Sequence, residues 1–534
     1  MIDNLARLAL TGTARQPTAA IRTDLPIDPL LEALGGESPE RRLLLAAGAA
    51  ALYRSAGQPV PPPSAEATAA AVEARPPCSP KVARLLVDLV RAKQVELAAE
   101  AAQLLDKAGR RAPHDILPVL LDVSDAGLRK ALRPVLGERG HWLAPFNPDW
   151  LWAVNRIDEL PASLSDLDTV WNEGTLAARV AVLTRLHELQ PARARDWLSQ
   201  VWPKEKAEPR SQLLEAFGTN LTADDEPFLE GILDDRSMAV RTAAARLLAR
   251  IPGSRLSQRM IARADAMLAY EVPKAGMLSK LKALAGAAGG KLIVTPPQAI
   301  DAAWERDGVP AKVPQGIGQR AYWLRLVLSL VPLPHWQQRF AAVPDVLLSA
   351  ARSTEWWEAI IGGWTEAAEM FAGSDWRIEL WNVWVDLLGD NDPKAGAQRQ
   401  AAAVRLPTIL AVLPRRDAEA CVMGVLKSSL PIGNTIFVEC LRRLGKPWRA
   451  DLAGQCLARL RQEAGAASTA PRALAVAVLP IAARAIPPEC FAQALAPWPQ
   501  LAGEHYADKA WMREIANFIE TVQLRKTLIE ETAS

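Results

Sequence analysis

The side chains best suited to hold a metal or attack a carbonyl are five histidines (His114, His141, His187, His335, His505) and five cysteines (Cys78, Cys421, Cys440, Cys456, Cys490). Their spacing argues against both uses. None falls in HExxH or CxxC, the patterns that bring two ligands to one ion, and no GxSxG elbow presents a serine nucleophile. Two glycine-rich stretches approximate phosphate loops. In GAAGGKL, Lys291 follows Gly290, but Ala285 stands where the first glycine of GxxxxGK[ST] belongs and Leu292 replaces the Mg²⁺-binding hydroxyl. GIGQRA, at Gly316 and Gly318, fits GxGxxA yet follows a polar, proline-containing stretch and not a strand. The 60 acidic residues leave room for a hydrolytic carboxylate pair across a cleft, though nothing in the pattern nominates one. The expectation is a non-catalytic protein with no cofactor and no metal.

Basic residues offer a different chemistry. Arg246 with Arg250, and Arg255 with Arg259, are spaced four apart on helix faces, and CLRRLGKPWR gathers Arg442, Arg443, Lys446 and Arg449 around Trp448. Such faces suit a phosphate backbone. The competing reading is that they solvate a helical surface or pair with Asp and Glu on neighbouring helices. The 62 basic and 60 acidic residues are mixed along the chain, giving a net charge of +2 and no whole-molecule field toward polyanions.

The elements that position these residues are helices. Asp224 to Pro252, DDEPFLEGILDDRSMAVRTAAARLLARIP, reads as an apolar helix, an acidic turn, and a second helix facing inward through Val240, Ala244, Leu247 and Leu248. Apolar on more than one side, this unit must stack on copies of itself. Asp235 in the turn and Arg241 six residues later match the structural ladder of HEAT repeats, as does Pro227 in the first helix. The fold class expected is therefore all-α, an α-solenoid of HEAT-like helical pairs with irregular Pro/Gly/Trp-rich insertions. The divisions expected are an N-terminal helical segment (1–56), a proline-rich linker or arm (57–80), the HEAT-like solenoid (81–285), an irregular connection (286–320) that includes a short strand at 292–295, and a tryptophan-rich helical domain (321–534). GERGHWLAPFNPDWLWAVN reads as a loop across helix ends, its glycines and prolines breaking helix. Tryptophans of the last part lie on helices apolar on two sides, which is the pattern of packing.

The N-terminus lacks the basic and apolar regions of a signal peptide, and no segment offers about 18 uncharged apolar residues to cross a bilayer. With scattered, odd-numbered cysteines, a cytoplasmic location is expected.

LALTGTARQP near the start, GERGHWLAPFNPDW at 137–150, EPFLEGILDDRSMAVRTAAARLLARIPGS at 226–254 and WLRLVLSLVPLPHW at 323–336 together resemble an uncharacterised bacterial family. Its genes lie beside those for a SWIM zinc-finger protein, a MoxR-type AAA ATPase and a von Willebrand A-domain protein. The resemblance implies a scaffold or adaptor for protein partners in a MoxR and von Willebrand A-domain system, with those three as candidate partners. The alternative is a helical-repeat protein that binds nucleic acid through Arg246, Arg250, Arg255, Arg259, Arg442, Arg443, Lys446 and Arg449.

Overall fold

A computed structural model describes residues 4–13, 21–23, 25–33, 36–56, 69–154, 164–272, 290–371, 373–389, 395–428, 430–465, 469–499 and 506–533. Most of them are helical, with one short two-stranded ribbon, and the chain divides into two compact units, Met1–Ala71 and Val72–Ser534. The first contains α1 (Asn4–Thr11), α2 (Asp28–Glu32) and α3 (Pro39–Ala56). Leu5 and Leu8 of α1 share a small core with Leu31, Leu43, Ala46 and Ala50. Gly12 stops α1, with φ +83° and its N–H on Leu8 O at 3.0 Å.

The second unit opens with α4 (Pro80–Arg91), α5 (Val95–Lys107), α6 (Leu117–Leu121), α7 (Ala126–Leu132) and α8 (Gly137–Leu143). Ser79 and Asp125 cap α4 and α7 by accepting from Val82 N and Leu128 N. Of the expected linker, 57–68 lie outside the described residues. Its end is tied to this block, since Arg111 N donates to Pro76 O and Cys78 N to Arg111 O.

The segment read as a loop, GERGHWLAPFNPDWLWAVN, instead forms α8 and two 3₁₀ turns, Ala144–Phe146 and Pro148–Ala153. The cause is a distant cap. Glu73 accepts from Glu138 N at 3.0 Å and Arg139 N at 3.1 Å, and so satisfies the first amides of α8. Gly137 takes φ +71°, and a Cβ there would lie 2.5 Å from Glu73 Oε2. Pro145 and Pro148 occupy first-turn positions of the 3₁₀ turns, where no N–H is needed.

Next come α9 (Leu164–Glu173), α10 (Leu176–Leu189), α11 (Pro191–Val201), α12 (Ala207–Glu215), α13 (Glu226–Ile232), α14 (Met238–Arg250) and α15 (Arg255–Met267). Helix α10 packs on α11 and α12, α12 on α14, and α14 on α15. A ribbon pairs β1 (Leu268–Glu271) antiparallel with β2 (Lys291–Val294), in the register Leu268 to Val294, so the strand expected near 292–295 forms one residue earlier. A short α16 (Ala302–Arg306) follows. The remaining helices are α17 (Gln319–Ser329), α18 (Pro334–Phe340), α19 (Pro344–Arg352), α20 (Trp357–Met370), α21 (Ser374–Gly389), α22 (Gly396–Val412), α23 (Arg415–Lys427), α24 (Thr435–Arg443), α25 (Ala450–Ala464), α26 (Thr469–Ala475), α27 (Leu479–Ala485), α28 (Phe491–Leu495) and α29 (Tyr506–Ala533). Trp336, Trp364, Trp376, Trp381 and Trp384 are buried among them, as their two-sided apolar helices require.

One continuous apolar core runs from Leu167 to Val522. A second, formed by Cys78 to Ala153, stands apart from it and takes in Leu528 of the last helix. The stretch 81–285 thus contributes to two cores.

Buried carboxylates stitch successive helices. Asp225, inaccessible to solvent, accepts from Arg195 Nη1 at 2.5 Å and from Thr222 N at 2.9 Å, and lies 3.2 Å from His187 Nε2. Burial alone would push its carboxyl up; the bonds from His187, Thr222 and Arg195 outweigh that and bring it down to about 2.

Two outcomes are expected. Gly137→Ala should cost about 1–3 kcal/mol in urea unfolding, because it adds left-handed strain and displaces the Glu73 cap. Because its folded pKa lies below its unfolded value, Asp225 contributes stability that is fully present above roughly pH 4 and is lost as pH falls toward 2. The loss should be about 2 kcal/mol, and absent in Asp225→Asn, when stability is followed across that range.

Candidate functional site

An α-helix ends with carbonyl groups that have no partner within the helix. In this protein arginines from neighbouring helices supply many of those partners. Arg377 of α21 donates to Ala368 O and Phe371 O at the end of α20 and to Val412 O at the end of α22 (2.7, 2.8 and 2.7 Å). Arg461 of α25 reaches Gln493 O in the last turn of α28 and Pro497 O beyond it, and Arg459 reaches Ser428 O and Leu430 O beyond α23.

The two ladder residues predicted from sequence join this pattern in a modified form. Arg241 donates through Nη1 to the backbone oxygen of Asp235 at 2.7 Å and through Nε to Glu305 O at 3.0 Å. The Asp235 carboxylate instead accepts from Arg210 Nη1 of α12 at 2.5 Å and from Ser237 N at 2.8 Å. The side-chain bond that ties this turn to a neighbouring helix therefore runs from Arg210 to Asp235.

Most of the eight basic residues considered for nucleic acid are engaged within the fold. Arg259 holds Asp307 through two nitrogens, at 2.9 and 2.7 Å, and Glu230 at 3.1 Å. Arg263 joins Asp307 at 2.7 Å, which fastens the segment after α16 onto α15. Arg250 donates to Gly218 O, and Arg255 pairs with Glu226. Arg442 and Arg443 lie against Glu439, Lys446 against Glu96, and Arg449 against Asp451. The Trp448 ring between them is buried. Arg246 lines a groove of about 510 Å³ between α12 and α14, with Ser211, Glu215 and Thr242.

A groove of about 410 Å³ lies among α17, α20, α21 and α22, where chemically varied side chains converge. Its position follows from a glycine pair. A Cβ on Gly363 would meet Arg325 O at 2.7 Å and Leu328 Cβ at 2.9 Å, so α20 closes on α17 only because that position is bare. Gly362 beside it leaves room for the Arg325 stem. Arg325 of α17 and Arg405 of α22 converge on Glu366, with Arg325 Nε at 3.0 Å and Arg405 Nη2 at 2.6 Å from the same Oε1. Arg405 Nη1 also meets Glu369 at 3.2 Å. Gln398 donates to Glu358 at 2.8 Å, while its own buried Oε1 accepts no bond among the described residues. Trp357 and Trp384 form an aromatic wall, Trp384 being oriented by its Nε1 bond to Thr365 Oγ1 at 2.9 Å.

This constellation offers rings, guanidinium edges and a carboxylate, all held by neighbours. It suits recognition. The thiols lie elsewhere and are buried; burial pushes Cys421, Cys440 and Cys456 up to about 12, far from nucleophilic thiolates at neutral pH. No group of three or more His, Cys, Asp or Glu that would hold a metal occurs among the described residues. No described helix is long and apolar enough to cross a membrane. Sequence reasoning singled out none of Arg325, Glu366, Gln398 or Arg405. The available signal was Gly362-Gly363 inside an otherwise apolar helix, which marks a close approach.

The profile of a family of unknown function, DUF5691, matches residues 4–532. The chain belongs to the DUF5691 family. No curated protein matches this DUF5691 member. The match takes in both compact units, the helix pair at 224–252 and the groove helices.

Asp235→Ala should destabilise this DUF5691 protein by about 3–5 kcal/mol in denaturant melts, because it strands the buried Arg210 charge. Arg241→Ala, which removes bonds to two carbonyls, should cost less, about 1–3 kcal/mol.

Proposed function

We propose that this protein is a non-catalytic α-solenoid of HEAT-like helical pairs that acts in the cytoplasm as a scaffold or adaptor for protein partners. The observation that carries the reading is the groove between α17 and α22, where polar and aromatic side chains are fixed in place by Glu366, Glu358 and Thr365. Pre-positioned groups of this kind favour binding, since little side-chain freedom is lost when a partner arrives. The repeat at 224–252, with Asp235 and Arg241 both turned to neighbouring helices, supports the solenoid. Engagement of Arg255, Arg259, Arg442, Arg443, Lys446 and Arg449 by carboxylates favours protein partners over nucleic acid. From the resemblance in sequence, the partners proposed are a MoxR-type AAA ATPase, a von Willebrand A-domain protein and a SWIM zinc-finger protein.

The test is capture of partners from the native host by tagged protein, with and without nuclease. Wild type should recover the ATPase or the von Willebrand A-domain protein in both halves. Val404→Glu, at an exposed position of the groove rim, should lower that recovery at least about tenfold with no change in melting temperature, a loss of about 1.4 kcal/mol in binding. Equal recovery by the variant would remove the groove from the reading. Partners lost on nuclease treatment would replace it with nucleic-acid binding.

A further inference from the structure

The first and last helices of the second unit meet. Lys81 Nζ lies 2.8 Å from Glu531 Oε1, and Arg525 grips Glu100 through Nε and Nη2, at 2.9 and 2.8 Å. Across the same junction Glu96 receives Lys446 at 2.9 Å and Arg484 at 3.6 Å. Arg525 is the pivot of this contact. Only 3% exposed, it also donates through Nη1 to Ala483 O and Ile486 O, both at 2.9 Å, and so caps α27 while holding α5.

The apolar side of the junction is thin. Among the described residues, the core of Cys78 to Ala153 admits from the rest of the molecule only Leu528, with Leu524 packed against it. Trp511, Ile515, Phe518 and Val522, earlier on the same helix, belong to the other core. One helix therefore serves two cores, and the block is held to the body mainly by charge. The outer pairs are open to solvent, with Lys81 60% and Glu96 57% exposed, where ion pairs are weak and screened by salt. Small, polar contacts between parts of a chain are those at which parts move.

We propose that α29 is a clasp, and that residues 72–154 swing away from the body when the Arg525–Glu100 and Lys81–Glu531 pairs let go. The closed form is the one described above. The open form exposes Leu524 and the facing surface of α4 and α5 and withdraws Leu528 from the smaller core, while the larger core stays intact. This movement is independent of the partner-binding groove and does not rest on it.

The experiment uses the full chain with spin labels on cysteines placed at Gln103 of α5 and Lys427 of α23. Both positions are exposed, and all five native thiols are buried, so labelling is selective. Wild type at low salt should give one narrow distance. Lys81→Glu with Glu100→Lys sets like charges against Glu531 and Arg525, and should add a longer population of at least about a tenth of the molecules, with helix content unchanged. Raising salt from about 0.05 to about 1 M should move wild type the same way. Adding Glu531→Lys and restoring Glu100 should return the single distance. One unchanged distance in the charge-reversed variant and in wild type at high salt would overturn the clasp. So would loss of helix content in that variant together with a salt-independent wild type, since the junction would then be part of the permanent fold.

Discussion

The unpaired carbonyls at the ends of helices are the constraint on which this architecture turns. A chain of short helices has many such ends, and packing them side by side buries the ends along with the flanks. Each buried carbonyl left alone costs about as much as a lost hydrogen bond. Arginine meets the need well, because its planar fork reaches two or three oxygens at once and its long stem crosses the gap between helices. Arg377 joins three helices in this way, and Arg525 does so while also engaging a carboxylate. Fixing the ends of helices fixes their relative heights, and that in turn sets which side chains line the grooves between them.

Much of the fold was legible because its signals are local. The inward face of α14 and the two-sided apolar helices that carry the tryptophans follow from periodicity read over one or two turns. The Asp235 and Arg241 pair was legible as residues that bond to neighbouring helices, though the partners differ from those of the plain ladder. What escaped has partners far away in sequence. Glu73 caps a helix more than sixty residues downstream, and without it GERGHWLAPFNPDW carries only breakers. Basic residues such as Arg259 and Lys446 look free on a helical wheel because the carboxylates they meet, Asp307 and Glu96, lie on elements no wheel can place.

The groove was the least legible part for the same reason. Its side chains come from four helices, and no two of the polar ones sit in a recognisable motif. Gly362 and Gly363 do more than relieve a clash: by letting α20 close on α17, they bring Glu366 within reach of arginines on both sides. The ion pairs then stiffen the walls and fix the shape of the groove. A surface built in this way gains specificity from rigidity.

The contact between Lys81 and Glu531 spans 450 residues, and this separation has a meaning in time. On the ribosome, the block that contains α4 and α5 emerges on the order of half a minute before the helix that docks on it. During that interval the α4 and α5 surface has no α29 to rest on, and the body between is already assembling its own core. The block must hold its shape unaided, with Glu73 and its single apolar cluster as its means. Docking of α29 thus joins an early-made part of this unit to a late-made one, and the junction forms only after both have been synthesised.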